Sequence, residues 1–320
     1  MSIAVFVDPL SKEELSLDSS GNLCNSKSRA YESHDGCYDF VTAVNSSGSE
    51  KKYYDNKYKE LAPMSSCLPL HSLWTDVPWY SSLLESLGTV EGKRILLLGN
   101  GTSQREFYFA EAGAKVVYTD LSIQAVLSVR DLFLANHRNY RKEDNMEFHA
   151  VDAYHLPFGD CSFDIIYGSA FVHHLSELDQ FFREVYRCLD ERGICRFFDQ
   201  ADSPLWDTMK STFLRPLQKH SYRKYPRSPE DLNANDRKVF NRKSLCEHAK
   251  KHGFRELYFQ KNWFFLPIFW RHYGKSVRWN ADMMSRVRKI HNVLMWTDCI
   301  LSKTQFMKRN SLMLIWGFNK

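Results

Sequence analysis

Short and almost unbroken apolar runs alternate with stretches of helical spacing through the middle of the chain. A run without polar interruptions is typical of a strand buried on both faces of a parallel sheet. Such runs lie at residues 94–98, 115–119, 146–151, 162–168 and 194–198, and further strands are predicted at 254–260 and 311–318. Strands that alternate with helices predict an α/β fold built on a doubly wound sheet, with ligands bound beyond the carboxyl ends of the strands.

The helices between these strands carry recognisable end signals. A helix at about 103–112 is followed by a glycine, and Ser122 is a good N-cap for the next helix. Ser176 and Asp179 have the spacing of a capping box, and Gly193 is expected to end the helix that follows them.

The remaining stretches predict appendages around one large domain. Residues 1–50 are polar, with weak periodicity, and we expect parts of them to be mobile or draped on the surface. Residues 51–90 are predicted to form N-terminal cap helices. Residues 91–320 form the main domain, with a basic insertion at about 203–240 and an aromatic insertion at about 262–298.

The composition limits the class of protein and the cellular compartment, but it does not identify a binding partner. The chain has 320 residues, 43% of them hydrophobic, which is enough for a sizeable core, and its net charge of +5 does not by itself argue for nucleic acid. No C-x-x-C motif occurs among the 8 cysteines, which favours free thiols in a reducing, cytoplasmic setting. The apolar run at 263–270 is too short to span a membrane, and no signal peptide is recognised, so we expect a soluble protein.

A glycine turn follows the first apolar run, and an acid follows the second. Gly99 and Gly101 permit a tight turn and close approach of a ligand, while Asp120 is placed to accept hydrogen bonds from both hydroxyls of a ribose. Gln104 stands where a nicotinamide-binding turn would carry its third glycine, so the turn alone does not identify the nucleotide.

The residues after the third predicted strand indicate the class of ligand. Residues 152–166 read D-A-Y-H-L-P-F-G-D-C-S-F-D-I-I, and the helix that follows, with a glycine before the fifth strand, continues the pattern. Together with the glycine turn and Asp120, this resembles the class I S-adenosylmethionine-dependent methyltransferases of the small-molecule branch. The resemblance covers roughly residues 90–200. It implies a Rossmann-like sheet, mostly parallel with an antiparallel last strand, helices on both faces and a helical cap.

The resemblance assigns a cofactor, S-adenosylmethionine, and a set of residues that would bind it. Asp120 would bind the ribose hydroxyls and Asp152 the adenine amino group, with backbone and apolar contacts around them. The full set is Gly99, Asn100, Gly101, Asp120, Leu121, Asp152, Ala153 and Ser169.

The glycine turn departs from the family at two positions. Leu97 stands where the family often has an acid that helps hold the methionine amino group, and Ser103 replaces a small residue of the turn. Glu106, Asn100 or a residue of the cap is expected to compensate for these departures.

The sequence says less about the residues that would bind the methyl acceptor. His173 and His174 follow the fourth strand, where an imidazole could remove a proton from the acceptor, or could pack structurally on the next helix. Tyr54 and Asp199 are expected to orient the substrate. No metal is required, because the sulfonium is already activated.

Three functions remain open at this point. The first is methyl transfer to a small aromatic or amphiphilic acceptor. The second is methylation of a protein or nucleic acid, although the N-P-P-[YF] signature of amino-group modifiers is missing at residues 168–171. The third is a non-catalytic binding or scaffold role. No nucleic acid and no transmembrane segment are expected, and the aromatic C-terminal segment is predicted to cover the pocket or to form a homodimer interface.

Overall fold

The computed structural model describes residues 3–27, 29–42, 44, 48–60, 78–137, 145–201, 203–209, 242–273 and 281–320. The chain divides into two compact units. One comprises Met1–Phe197, Cys246–Tyr258 and Gly317–Lys320, and the other comprises Phe198–Leu245 and Phe259–Trp316. Most of the predicted basic insertion, residues 210–241, lies outside the described residues, as do residues 61–77 and 274–280 of the predicted cap and aromatic insertion.

Twelve strands are described. The five short N-terminal strands are β1 (Ser16–Leu17), β2 (Leu23–Cys24), β3 (Ala30–Tyr31), β4 (Ser33–His34) and β5 (Cys37–Tyr38). The strands of the main sheet are β6 (Arg94–Leu98), β7 (Lys115–Asp120), β8 (Met146–Ala150), β9 (Phe163–Ser169), β10 (Leu189–Gln200), β11 (Glu256–Asn262) and β12 (Met313–Asn319).

The described helices lie before, between and after these strands. They are α1 (Gly48–Glu60), α2 (Pro78–Leu87), α3 (Phe107–Glu111), α4 (Ile123–His137), α5 (Leu178–Cys188), α6 (Pro204–Met209), α7 (Arg242–His252), α8 (Phe265–Tyr273), α9 (Ala281–Leu301) and α10 (Gln305–Asn310), with a single 3₁₀ turn at Val172–His174. None of them is long and apolar enough to cross a lipid bilayer.

The main sheet has seven strands in the order β11-β12-β10-β9-β6-β7-β8. β6 pairs in parallel with β7 on one side and with β9 on the other, so Leu96 stands beside both Val117 and Ile166. The chain therefore leaves β6 in one direction and later returns to its other side. The loops that follow β6 and β9 diverge at this point, which is where a doubly wound sheet opens a crevice for ligands.

β12 runs against the direction of its neighbour β10. Lys320 N donates to Gly193 O at 3.0 Å and Ala201 N donates to Leu312 O at 2.9 Å, so the residue numbers of the two strands change in opposite senses. A Cβ on Gly317 would lie 1.9 Å from Cys195 O, so only glycine fits this pairing. The predicted fold, a mostly parallel Rossmann-like sheet with an antiparallel last strand, is confirmed.

The described part of the N-terminal segment packs along the outer strand β8. Phe40 N donates to Ala150 O at 3.0 Å, and Tyr38 N donates to Nδ1 of the buried His149 at 3.2 Å. Ile3 N donates to the Glu147 carboxylate. Because an uncovered edge strand invites pairing with other chains, this segment protects the end of the sheet.

The buried carboxylate of Asp8 organises the turns of the N-terminal segment. It accepts hydrogen bonds from Leu10 N and Ser11 N at 2.9 and 2.8 Å, and from Asn25 Nδ2 and Tyr31 Oη at 2.7 and 2.9 Å. Burial opposes ionisation, but these donors outweigh it and lower the pKa of Asp8.

Three local predictions about helix ends are wrong. The helix after β6 begins at Phe107 instead of about residue 103, because Tyr118 Oη donates to the carbonyls of Gly101 and Ser103 and residues 103–106 form turns. Gly193 does not end a helix, since α5 stops at Cys188 and Leu189 already has extended backbone, so the glycine lies inside β10.

The predicted capping box at the start of α5 is also wrong. Ser176 N donates to Tyr154 Oη at 2.7 Å, and the N-cap position is Glu177, whose side chain makes no capping bond. Asp179 instead contacts side chains of α7, which are His248, Lys251 and His252.

The second unit has its own buried acid at a helix start. Asp298 of α9 accepts hydrogen bonds from the backbone amides of Phe264, which precedes α8, and of Phe265 and Leu266, which begin it, at 3.2, 3.1 and 2.9 Å. Burial raises the pKa of Asp298, and these three amides oppose the rise. Along the same helix α9, four large hydrophobic side chains are exposed: Ile290, Val293, Trp296 and Ile300.

Replacing Asp8 by asparagine tests the role of its carboxylate. The change turns one acceptor oxygen into a donor facing amide hydrogens, so we expect a loss of about 2–4 kcal/mol in the free energy of unfolding at pH 7. Because folding lowers the pKa of Asp8, its stabilisation is present above the unfolded pKa of about 3.9 and is lost as the pH falls through the lower folded value.

Urea unfolding at pH 7 and pH 3 measures both effects. Asp18→Asn is the matched control, because Asp18 accepts amides of a similar turn in an exposed position and should matter far less. Equal losses from the two variants at pH 7, or a gap that does not narrow at pH 3, would contradict this role.

Candidate functional site

A cleft of about 230 Å³ opens in the first unit, at the carboxyl ends of the central strands. The loops after β6, β7, β8 and β9 line it, together with one face of α1. Of the residues predicted to bind a cofactor, five line the cleft: Gly99, Asp120, Leu121, Asp152 and Ala153.

The other predicted cofactor residues lie outside the described lining. Asn100 and Gly101 continue the turn after β6, and Ser169 is the buried last residue of β9. Of the residues predicted to orient the substrate, Tyr54 lines the cleft. Asp199, in the second unit, is not part of this lining, and its Oδ2 accepts a hydrogen bond from Trp316 Nε1 at 3.2 Å.

Asp120 joins the turn after β6 to the turn after β7. Its Oδ2 accepts from Gly101 N at 2.8 Å, and its Oδ1 accepts from Ser122 N at 3.0 Å. Burial raises the pKa of Asp120, and the two amide hydrogen bonds oppose that rise. Each carboxylate oxygen has a second lone-pair direction, so the group retains acceptor capacity toward the cleft.

Asp152 occupies the corresponding place after β8. Its Oδ1 accepts from Tyr154 N at 2.9 Å, and its Oδ2 lies 3.5 Å from His155 Nδ1. The side chain is almost fully buried where it lines the cleft. The structure thus brings the two predicted acids into one cleft at the ends of adjacent strands, which pair in parallel.

Side chains of this protein lie against both glycines of the turn. Gly99 and Gly101 have φ of 62° and 58°, where a side chain would be strained. A Cβ on Gly99 would lie 2.4 Å from Cγ of Phe171, and one on Gly101 would lie 2.6 Å from Tyr58 Oη. Aromatic side chains of the protein itself therefore occupy at least part of the space next to these two glycines.

Phe171 is held between the turns after β6 and β9. Its ring also lies against Gly168, where a Cβ would be 2.3 Å from Cε1, and the preceding residue, Ala170, has a φ of 57°. A non-glycine residue in that region is unusual and costs free energy. The backbone after β9 therefore adopts an unfavourable conformation next to the position of Phe171 in the cleft wall.

Helix α1 supplies the aromatic side of the cleft. Tyr54 and Tyr58 are one helical turn apart and stack with ring centroids 6.1 Å apart, and Lys57 Nζ lies 5.1 Å from the Tyr54 ring centroid. Burial, and then the charge of Asp120, raise the pKa of Tyr58. Tyr54 is a predicted substrate residue and Tyr58 is not, although the i, i+4 spacing of the two on the predicted cap helix could have revealed Tyr58.

Two polar contacts anchor α1 to the domain. Asp55 Oδ1 accepts from Ser122 Oγ at 2.5 Å. Lys51 Nζ lies 2.9 Å from Asp55 Oδ2 and 3.2 Å from Asp39 Oδ2. The helix is thereby tied both to the turn that Asp120 orders and to the N-terminal segment.

Two buried polar side chains of the turn region have no hydrogen-bond partner among the described residues. They are the amide of Asn100 and the carboxylate of Glu106, whose closest ionic neighbour is Arg105 at 3.7 Å. Because unsatisfied buried polar groups are rare, each is a place where a ligand group or water could bind. Both are among the residues expected to compensate for Leu97.

The two histidines after β9 differ in their position. Both belong to the 3₁₀ turn Val172–His174, and their ring centroids are 4.1 Å apart. His174 is part of the cleft lining, whereas His173 is not among the described lining residues.

The sheet order, with a glycine turn after the first central strand and an acid after each of the next two, is that of a Rossmann-like domain whose cleft lies at the carboxyl ends of the strands. Residues 96–197 match the family model described as a methyltransferase domain. This match bears out the predicted methyltransferase family for that part of the chain.

The similar proteins share this domain at modest identity. Demethylmenaquinone methyltransferase of Clavibacter sepedonicus is 33% identical over 131 residues, covering 40% of this chain and 51% of that protein. Methyltransferase GfsG of Streptomyces halstedii is 32% identical over 112 residues, covering 35% and 39%. The chain thus spans about half, or less, of the length of these curated relatives.

Among solved structures, the cyclase SpnF has a TM-score of 0.50 at 18% identity, covering 85% of this chain and 94% of that chain. At that identity the likeness bears on the fold alone. The fold is therefore shared well beyond the segment that matches the family model.

Replacing Gly168 by alanine tests the packing of Phe171. The added methyl overlaps the ring, so we expect a loss of about 1–3 kcal/mol in the free energy of unfolding. In a Phe171→Ala background, much of that loss should disappear, because the overlapping atoms are gone, leaving a coupling energy of about 1 kcal/mol or more.

Thermal unfolding of the two single variants and the double variant measures the coupling. Gly159→Ala is the control, since a Cβ there would meet nothing closer than 3.5 Å. Equal costs of Gly168→Ala in both backgrounds would show that Phe171 does not require this glycine.

Proposed function

We propose that this protein is an S-adenosylmethionine-dependent methyltransferase that acts on a small aromatic or amphiphilic acceptor. The observation that carries the proposal is the convergence of Asp120 and Asp152 in one cleft, beside the glycine turn at Gly99. Two acids at the ends of adjacent strands can bind the ribose hydroxyls and the adenine amine of one nucleoside.

The donor and acceptor set of the cleft fits this cofactor. Asp120 has acceptor capacity for the ribose, and Asp152 for the adenine amine, while Leu121 and Val151 offer apolar surface. The unpartnered amide of Asn100 lies between the two glycines of the turn and could bind the methionine end in place of the family's missing acid.

The charges around the cleft favour a cationic ligand. Among its described lining residues are three carboxylates, Glu50, Asp120 and Asp152, and one ammonium, that of Lys57. When bound, the cofactor would supply a methyl group on a positively charged sulfur. A cleft with excess negative charge attracts such a group and raises its local concentration.

The protein's own groups then have to orient the acceptor and remove its proton. His174 lines the cleft beside Phe171 and Leu175, so we assign it the role of general base, with His173 packed against it. An imidazole can accept a proton near neutral pH, and positioning the acceptor in line supplies most of the remaining acceleration.

The aromatic face of the cleft supports an aromatic or amphiphilic acceptor. Tyr54, Tyr58 and Tyr154 present flat rings with polar ends, on which a phenol or quinol could stack and hydrogen-bond. One similar protein is named for a quinone precursor, demethylmenaquinone. The proposed partner is thus a small molecule, and nucleic acid or protein acceptors are not part of the proposal.

A non-catalytic or different activity is the second candidate. SpnF, which shares the fold, carries the name of a cyclase, so this fold is compatible with chemistry other than methyl transfer. Side chains lie against Gly99 and Gly101, and they would have to move for a cofactor to approach the turn. This observation favours the second candidate.

We further propose a cytoplasmic location. Cys37, Cys188 and Cys195 are buried free thiols, and burial raises the pKa of each, which keeps them unreactive. Free thiols are typical of a reducing compartment. A homodimer interface in the aromatic C-terminal segment stays a prediction.

Replacing the two acids tests cofactor binding. Asp120→Asn and Asp152→Asn each remove an acceptor for the nucleoside, so we expect affinity for S-adenosylmethionine and S-adenosylhomocysteine to fall at least about tenfold. Calorimetric titration measures this, with NAD as a control ligand. Asp164→Asn is the matched protein control, because Asp164 pairs with Arg94 at the start of β6.

If the wild-type protein binds neither S-adenosylmethionine nor S-adenosylhomocysteine, the proposal is wrong. Binding that is unchanged in both acid variants would place the cofactor elsewhere.

His174→Gln tests the assignment of the base. We expect kcat to fall about 100-fold, with unchanged affinity for S-adenosylmethionine. Formation of S-adenosylhomocysteine with a panel of phenols and quinols measures turnover. His173→Gln is the control and should change kcat far less; the reverse order would assign the base to His173.

A further inference from the structure

A second polar cluster of the first unit joins helices α5 and α7, among residues that do not line the cleft. Asp179 lies in the first turn of α5, and His248 and His252 are one turn apart on α7. The i, i+4 spacing places both imidazoles on the same face of α7. The ligand-type atoms of the three side chains all lie within 4.8 Å of one another.

Both imidazoles point to the same carboxylate oxygen. His248 Nδ1 lies 3.0 Å and His252 Nε2 lies 3.2 Å from Asp179 Oδ1. Ligand atoms around a tetrahedral zinc ion, with bonds of 2.0–2.2 Å, are about 3.3 Å apart. These two nitrogen–oxygen distances are therefore within a few tenths of an ångström of those that a shared zinc ion requires, and the two imidazole nitrogens lie within 4.8 Å of each other.

The types of donor atom select the metal. Two neutral imidazoles and one carboxylate suit zinc, whereas magnesium and calcium prefer all-oxygen sites. The cluster is half-buried, with His252 the least exposed member and Asp179 the most exposed, so a water molecule can reach the fourth position.

Lys251 is the one described cation that competes for this site. Its ammonium contacts Asp179 Oδ2, the oxygen that the histidines do not use. The lysine side chain is 60% exposed, so it can swing into solvent when a metal ion takes its place. Removing the lysine should therefore help a metal to bind rather than hinder it.

We propose that Asp179, His248 and His252 form a zinc site that fastens α7 to α5. The site does not depend on methyl transfer, since none of its residues lines the cleft. In the metal-free protein the two imidazole N–H groups and Lys251 hold the three side chains near their binding positions. The zinc ion replaces those hydrogen bonds by stronger contacts and ties together two helices that are distant in sequence.

Zinc titration of the full-length protein, stripped of metal with a chelator, tests the site. We expect uptake of one zinc per chain and a rise of a few degrees in the melting temperature at saturating zinc. His248→Ala and His252→Ala should each weaken this uptake at least about tenfold and abolish the thermal shift. Lys251→Met should bind zinc as tightly as the wild type or more tightly.

Cobalt spectra and a remote control distinguish this site from others. His34→Ala removes an exposed histidine of β4 and should leave uptake unchanged. Cobalt in a nitrogen and oxygen site gives visible absorption without the strong near-ultraviolet band of thiolate ligands. If a ligand variant proves unstable, Asp179→Asn tests the same site through the loss of the cobalt spectrum.

Three outcomes would overturn the proposal. They are no uptake by the wild-type protein, uptake that persists undiminished in the ligand variants, and a cobalt spectrum with thiolate bands. The second and third would mean that zinc is held elsewhere as an adventitious ion only.

Discussion

The carboxylate of Asp120 is the contact on which the geometry of the cleft depends. One oxygen holds the glycine turn after β6, and the other holds the start of α4 through Ser122. Ser122 in turn contacts Asp55, so the helix that covers the cleft is fixed through the same turn. A single buried acid thus aligns the glycine turn with the helix α1 before any ligand binds. Its burial disfavours the charged form of the carboxylate.

The central sheet could be predicted from the sequence because it is encoded locally. Unbroken apolar runs identify strands buried on both faces, and each acid or glycine at the end of a run marks the ligand edge. The helix ends could not be predicted in the same way. Ser176 and Asp179 have suitable capping chemistry, yet each finds a partner from a distant segment, Tyr154 and α7 respectively, which the local pattern does not contain.

Site residues were predictable where position along a strand decided their place. Asp120, Asp152 and His174 follow strands and line the cleft. Helical spacing could have placed Tyr58 beside Tyr54, but its contact with Gly101, like that of Phe171 with Gly99, depends on how separate elements pack. The structure of the N-terminal segment could not be predicted either, because its turns are organised by hydrogen bonds to Asp8 and have no hydrophobic periodicity.

The order of strands has a consequence for synthesis of the protein. β12 lies between β10 and β11 in the sheet but follows both of them in the chain, and Gly317 must pass close to the backbone of Cys195. Roughly 50 residues separate the end of β11 from the start of β12, a delay of about 3–10 s at ribosomal speeds. During that interval β10 has an open edge, so a nascent chain stalled before β12 would be the form most exposed to aggregation and to chaperones.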